Sequence, residues 1–173
     1  MNDIPTYKRV LALQPMTRGV GYVVMEGPAR VIDWGVKDAR SADKNVQSLA
    51  QVSGLIQLYR PDVIIVEDYG GKASRRQPRV QELIDQIVKL AADQRMASCS
   101  VSRSAVRNAF ARSGAFTKQQ IAVAIAERLP QLAAHLPRPR RIWESEDRRM
   151  AIFDAASFAL AFYQLNRNYR RAA

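Results

Sequence analysis

The order of the apolar runs along the chain restricts its fold more than any other feature of the sequence. Three short runs rich in β-branched residues, at 9–13, 20–25 and 31–36, are separated by Gly, Pro and polar residues. Such runs predict three β-strands joined in an antiparallel meander. A segment with helical spacing follows, and then a continuous apolar run at 62–67 that is typical of a buried strand. The resulting order, βββαβ, predicts a mixed sheet.

Two segments have the spacing of amphipathic helices. In the first, Ser41 is the predicted N-cap and Pro61 ends the helix. In the second, apolar residues recur with the helical period over 80–91, in a stripe wide enough to pack on a sheet or on a partner helix. The apolar residues that share one face of the first helix are Leu49, Val52, Ile56 and Tyr59.

The second half of the chain continues the alternation of strands and helices. A short strand is predicted at 97–101 and a helical turn at 104–110. Thr117 and Gln120 have the spacing of a capping box, which predicts the start of a helix that ends at Pro130.

The carboxyl-terminal part of the chain holds a linker, a helix and a tail. Because its prolines cannot continue a helix, the segment 136–142 is predicted to be a basic extended linker. A helix is predicted from Ser145 onward, followed by a frayed basic tail at 166–173. We expect these elements to form a single domain over residues 1–173.

The charge of the chain indicates a polyanionic partner. The sequence has 27 Lys and Arg residues against 16 Asp and Glu residues, a formal net charge of +11. The basic residues are spread through loops rather than confined to one amphipathic helix, which favours nucleic acid over a membrane surface. The alternative is a basic protein without a polyanionic ligand, but a charge this large destabilises a short chain by self-repulsion unless a polyanion relieves it.

Composition excludes several classes of protein. No stretch approaches the roughly 20 apolar residues of a membrane span, and the first residues lack the pattern of a signal peptide, so a cytoplasmic protein with no membrane partner is expected. Cys99 is the only cysteine and His135 the only histidine. This excludes an internal disulfide and a Cys/His zinc cluster.

Several short motifs occur along the chain in a fixed order. They are Leu-Gln-Pro-Met-Thr-Arg-Gly-Val-Gly-Tyr-Val-Val at 13–24, Pro-Asp-Val-Ile-Ile-Val-Glu at 61–67, Val106-Arg107, Lys-Gln-Gln-Ile at 118–121 and Asp-Ala-Ala-Ser at 154–157. In this order the chain resembles the RuvC family of Holliday-junction resolvases over about residues 9–165. The resemblance implies an α/β ribonuclease H-like domain, a mixed five-stranded sheet flanked by helices. It also implies binding of branched DNA in recombination or repair, and a homodimer formed through the second helix.

The resemblance also implies a catalytic site built from four carboxylates, of which this chain lacks two. The catalytic positions correspond to Glu67, Asp154, Gln14 and Ser157, so that an amide and a hydroxyl stand where the family has acids. If Asp154 corresponds instead to the last acid, the missing carboxylate falls at Ala151. The candidate metal ligands are Glu67 and Asp154, with Asp68 in reserve, for Mg²⁺ or Mn²⁺.

Basic residues near these positions are the candidate DNA contacts. The loop after Glu67 is a possible phosphate clamp, and its alternative interpretation is a solvated surface loop. Tyr69 lies near the position where the family places an aromatic wedge, but Gly70 occupies the closest match. Cys99, His135 and Trp143 carry no functional prediction. The predicted DNA-binding residues are Lys72, Arg75, Arg76, Arg79, Arg107, Lys118, Arg140 and Arg141.

Two functions remain open at this point. The favoured hypothesis is a branched-DNA-binding protein that has lost its metal-dependent nuclease site and needs no cofactor, because phosphoryl transfer depends on positioned cations. The alternative is an active Mg²⁺- or Mn²⁺-dependent junction endonuclease that uses Glu67, Asp154 and a substitute acid. The actin-like ATPases and sugar kinases open with similar strands, but the chain is too short for their two halves and lacks their phosphate loops.

Overall fold

A computed structural model describes residues 9–70 and 76–172, with side chains described as far as Asn166. The predicted βββαβ order is confirmed. The first five elements are β1 (Arg9–Met16), β2 (Gly19–Glu26), β3 (Val31–Asp38), α1 (Lys44–Tyr59) and β4 (Val63–Glu67). They are followed by α2 (Pro78–Asp93), β5 (Ala97–Val101), α3 (Arg103–Phe110), α4 (Lys118–Arg128) and α5 (Met150–Ala172). Short 3₁₀ turns lie at Ala111–Ser113 and Pro130–His135.

The five strands form one mixed sheet in the order β3-β2-β1-β4-β5. The first three strands are antiparallel neighbours, whereas β4 pairs parallel with both β1 and β5. The strands β1, β4 and β5 therefore end at the same side of the sheet, which we call the carboxyl edge. Ala12 pairs with Ile65, and continuing this register by two residues brings Gln14 beside Glu67.

Helices cover both faces of the sheet. Alternate residues of β1 point to opposite sides, so that Val10 and Ala12 join one core with α3, α4 and α5. Leu11 and Leu13 join a second core with α1 and α2. Because both faces are covered, β4 is buried throughout its length.

Helix α5 crosses the sheet from the carboxyl edge to the opposite edge. Near its start, it approaches β2 at Gly21, where an added Cβ would lie 2.5 Å from Cβ of Ala151. Further along, the hydroxyl of Tyr163 accepts a hydrogen bond from the backbone N–H of Gly27, at 2.8 Å. Since Gly21 is the β2 partner of Gln14, the first turn of α5 lies at the level of Gln14.

Two predicted helix starts are wrong. The N-cap of α1 is Asp43, whose carboxylate accepts from the N–H of Val46 at 3.0 Å, while the Ser41 hydroxyl donates to the Asp43 carbonyl. Ser and Asp are both favourable N-cap residues, and Asp43 is the cap because it directly precedes the first turn of α1. Helix α5 begins at Met150 and not at Ser145. The capping box of Thr117 is confirmed.

The late start of α5 has a side-chain cause. The acids that precede it are bound to basic side chains instead of lying in a first helical turn. Glu144 contacts Arg138, Asp147 contacts Arg149, and Glu146 contacts Lys118 on α4. Residues 136–149 form an irregular segment with no helix or strand, which includes the predicted linker. At the other end, α5 continues to Ala172, into the region expected to be a frayed tail.

The apolar stripe of α2 packs on the sheet of its own chain. Its buried residues are Val80, Leu83, Ile84, Ile87 and Ala91, all members of the second core. The sequence leaves two packing partners open for this stripe, a sheet or a partner helix, and in the structure the stripe packs against the sheet. Homodimer formation through α2 stays a prediction. Among the described residues, none of the helices is both long enough and apolar enough to cross a membrane.

Replacing Gly21 tests the seating of α5 on β2. We expect Gly21→Ala to lower the free energy of unfolding by about 1–3 kcal/mol, because the new methyl group must displace Ala151 and its backbone. Gly54→Ala in α1 is the control, because an added Cβ there meets no atom within 4 Å. It should raise the free energy of unfolding by up to about 1 kcal/mol. Urea denaturation measures both, and equal stability of Gly21→Ala and the parent protein would contradict the close contact.

Candidate functional site

Three polar side chains are buried near the carboxyl edge. Gln14 lies near the end of β1, Glu67 ends β4, and Asp154 lies in the first turns of α5. Their exposed fractions are only 2%, 4% and 8%. Because Glu67 alternates with Val63 and Ile65, it lies on the face of the sheet that α5 covers. Burial of polar groups in this way requires partners, since an unpaired buried charge is strongly unfavourable.

The partners of Glu67 are two arginines. Nε of Arg76 donates to Oε2 of Glu67 at 2.7 Å, and Nε of Arg103 donates to Oε1 at 2.8 Å. Arg76 comes from the segment before α2, and Arg103 begins α3. Both carboxylate oxygens are therefore held by guanidinium groups, and the buried charge is compensated.

Gln14 belongs to the same network. In the amide orientation that satisfies both groups, its side-chain oxygen accepts hydrogen bonds from the guanidinium of Arg76. Arg76 thus bridges the side chains that end β1 and β4. A carboxylate at position 14 would add negative charge here, but the amide leaves one formal charge, that of Glu67, against two guanidinium groups.

Asp154 is held by a lysine. Nζ of Lys118 lies 2.8 Å from Oδ2 of Asp154 and also contacts Glu146. Burial raises the pKa of Asp154 above its ordinary value of 3.8, while the charge of Lys118 opposes this rise. Two carboxylates from different segments therefore converge on one ammonium group.

A pocket of about 160 Å³ opens beside Asp154, between α3, α4 and α5. Basic side chains of Arg103, Arg107 and Lys118 line it, and its floor is apolar. Ser157 also lines the pocket, and its hydroxyl donates to the carbonyl of Asp154 at 2.6 Å. Along the helix, Ser157 lies about 9 Å beyond Ala151, which is beside Gly21 at the level of Gln14.

The arrangement does not fit a divalent metal ion. Among the described residues, no three Asp, Glu, His or Cys side chains converge on one point. Asp68, the reserve ligand, is exposed, and its Oδ1 accepts from the N–H of Gly70 at 2.9 Å. Glu67 and Asp154 are each bound to basic side chains of the chain itself.

The other predicted DNA contacts lie in three places. Arg79 is turned toward α1, where its guanidinium donates to Oδ1 of Asn45 at 3.4 Å and also to the carbonyl of Thr17. Arg107 is exposed on α3. Arg140 and Arg141 are exposed on the segment before α5. Lys72 and Arg75 lie outside the described residues.

Two residues of this network are absent from the sequence predictions. Arg103 lies two residues beyond β5, and a parallel pairing of β5 with β4 would have placed it beside the end of Glu67's strand. No local signal identifies Glu146 as a neighbour of Asp154, because their contact through Lys118 depends on how residues 136–149 fold back.

The fold is that of the RuvC-like resolvases. No protein-family model and no curated protein matches the chain. Thermus thermophilus RuvC in complex with a Holliday junction substrate superposes with a TM-score of 0.69 at 17% identity, covering 92% of this chain and 95% of that one. The yeast mitochondrial Holliday junction resolvase Ydc2 superposes with a TM-score of 0.64 at 15% identity, covering 98% and 84%. The predicted ribonuclease H-like α/β fold is confirmed.

Titration of Asp154 tests the electrostatics of the site. We expect a titration midpoint above 3.8 in carboxyl-detected NMR, because burial disfavours the charged form. Lys118→Met should raise the midpoint further, since the opposing ammonium charge is removed. Protonated Asp154 then favours the folded state below 3.8, and this contribution is lost as the pH rises through the folded-state pKa.

Lys89→Met is the matched control for this titration. Lys89 is an exposed lysine on α2, across the sheet, where it pairs with Asp93. Its removal should leave the midpoint of Asp154 unchanged. A midpoint at or below 3.8 in the parent protein would contradict the expectation that burial of Asp154 outweighs the opposing charge of Lys118.

Proposed function

We propose that the protein binds branched DNA at its carboxyl edge without cutting it. The observation that carries this proposal is the occupation of the acidic positions by the chain's own cations. Arg76 and Arg103 hold Glu67, and Lys118 holds Asp154. A nuclease of this fold would need those carboxylates for metal ions, whereas a DNA-binding protein has use for the guanidinium and ammonium groups.

Charge and fold support a nucleic-acid partner. The formal charge of +11 destabilises the compact chain by self-repulsion, which a bound polyanion relieves. Arg107, Arg140 and Arg141 are exposed on elements that border the site. Phosphate contacts from such residues provide most of the affinity for DNA without reading its sequence. The structural neighbour from Thermus thermophilus is described in complex with a Holliday junction. A homodimer is part of the proposal, because a four-way junction presents symmetric arms to a symmetric protein.

The chemistry of the amide supports the loss of nuclease activity. Gln14 offers a neutral oxygen, a weaker ligand for a hard divalent cation than a carboxylate, and this oxygen already accepts from Arg76. No residue on the first turns of α5 replaces the missing charge at the level of Gln14, where Ala151 contacts Gly21.

One observation favours the second candidate, an active metal-dependent nuclease. Glu146 and Asp154 approach the same ammonium group of Lys118. If Lys118 moved away on DNA binding, Glu146 would be the substitute acid that this function requires. Loss of junction cleavage in Glu146→Gln, with cleavage by the parent protein, would support this candidate.

Binding assays test the proposed partner. We expect the protein to bind a four-way junction more tightly than a linear duplex of equal length, with an affinity that falls steeply between low and physiological salt. Arg107→Ala should reduce the slope of log affinity against log salt by about one unit, because one phosphate contact is lost. Fluorescence anisotropy at several salt concentrations measures both quantities.

Lys89→Ala is the control for charge alone, because Lys89 lies on α2 across the sheet. It should leave the slope close to that of the parent protein. Equal affinity for junction and duplex at every salt concentration would sink the branched-DNA proposal and leave only a basic protein.

Cleavage assays on junctions with Mg²⁺ or Mn²⁺ test the loss of activity. The parent protein should leave the junction intact. Gln14→Asp combined with Ser157→Asp should introduce metal-dependent cleavage if Ser157 stands at the last acidic position, and its side chain faces the pocket beside Asp154. Gln14→Asp combined with Ala151→Asp is the productive pair if Asp154 is the last acid, although the close contact of Ala151 with β2 opposes a larger side chain there.

Adding Glu67→Gln to the active double variant is the control and should abolish its cleavage. Circular dichroism verifies that each variant is folded. Strong cleavage by the parent protein that is lost in Glu67→Gln would instead establish the nuclease. Cleavage by the Ala151 pair alone would make Asp154 the last acid of the site.

A further inference from the structure

A tight turn just before α5 exposes two large apolar side chains. Ile142 is 96% exposed and Trp143 is 78% exposed. They are adjacent in a four-residue turn that is closed by a hydrogen bond from the N–H of Glu144 to the carbonyl of Arg141, at 3.0 Å. The central positions of such turns usually carry Gly, Pro, Asn, Asp or Ser. An adjacent Ile-Trp pair at this position serves no core and leaves apolar surface in water.

The base of this turn is held in place. The carboxylate of Glu144 accepts from the N–H of Arg141 at 3.1 Å and from the guanidinium of Arg138 at 3.0 Å. Before the turn, Gln119 of α4 donates to the carbonyl of Pro137 at 3.0 Å. The apolar pair is therefore presented on an ordered support rather than on a loose loop.

The turn lies next to the carboxyl-edge network. Glu146, two residues after the turn, contacts Lys118, which in turn holds Asp154. Ile142 and Trp143 consequently project from the segment that borders the candidate site. The sequence carries no functional prediction for Trp143, because nothing in it distinguishes an exposed tryptophan from a buried one.

The charges around the turn identify the chemistry of its ligand. Arg140 and Arg141 form no ion pair within the described residues, and the guanidinium carbon of Arg141 lies 5.7 Å from the centre of the Trp143 ring. An apolar and aromatic tip flanked by guanidinium groups that have no ion pair among the described residues is complementary to a nucleobase with phosphates on either side. Apolar side chains that enter a base step unstack it and bend the duplex.

We propose that the Ile142–Trp143 turn stacks against an unpaired or unstacked base where the strands of branched DNA exchange. The inference rests on the proposed function and adds to it the residues that would distinguish a branch point from a continuous duplex. At a branch point bases are already partly unstacked, so that insertion is less unfavourable there than within a duplex. The arginines at the base of the turn would contact phosphates on both kinds of DNA.

The test compares Trp143→Ala with the parent protein on a four-way junction and on a duplex of equal length. We expect Trp143→Ala to weaken junction binding about 10-fold, with duplex binding unchanged, because only the stacking contact is lost. A 2-aminopurine placed at the exchange point should change its fluorescence on binding the parent protein but not on binding the variant. Leu58→Ala, which removes another exposed apolar side chain on α1, is the control and should match the parent protein.

Each other outcome overturns the inference. Unchanged junction affinity in Trp143→Ala, together with a junction preference in the parent protein, would refute the role of the turn and leave the proposed function intact. Equal affinity of the parent protein for both DNAs would refute both proposals. If Trp143→Ala instead changes the sedimentation of the free protein, the turn is a contact between protein chains. Equal losses on junction and duplex would make Trp143 a general DNA contact.

Discussion

The burial of the Glu67 carboxylate is the constraint on which the candidate site depends. A carboxylate that is only 4% exposed must be paired, and two guanidinium groups supply that pairing, one at each carboxylate oxygen. Arg76 then reaches Gln14, and Arg103 extends to the pocket that Lys118 and Asp154 share. The ends of β1 and β4 are thereby joined to the start of α3, and Lys118 and Asp154 join α4 to α5 across the same pocket.

The position of α5 is the second constraint, and it depends on the small volume of Gly21 where the helix contacts β2. Gly21 allows the helix to approach β2 so closely that a Cβ added at position 21 would lie 2.5 Å from Cβ of Ala151. This contact brings the first turn of α5 to the carboxyl edge, and Tyr163 binds the backbone of Gly27 where the helix passes the other edge. Asp154 comes to lie among α3 and α4 because the helix is held at both places. The polar network around Glu67 and the close packing of α5 on β2 meet at the carboxyl edge of the sheet. The segment that carries Trp143 borders this region.

Much of the architecture could be predicted from local pattern. The strand runs, the apolar stripe of α2 and the capping box at Thr117 each reflect a periodicity or a cap within a few residues. The predicted starts of α1 and α5 are wrong because their outcome depends on competing partners. Asp43 replaces Ser41 as a cap, and the acids before Met150 bind arginines and a lysine instead of starting a helix.

By itself, the sequence determined the order of the strands and helices, the strongly basic charge, and the common face of Val63, Ile65 and Glu67, because each follows from local spacing or composition. Only the tertiary structure decided which cation holds which acid, since those partners come from distant segments. Arg103 and Glu146 reach the site through strand pairing and loop folding that no local pattern records. The exposure of Trp143 was likewise decided by the fold, because burial is a property of what packs around a side chain and not of the side chain itself.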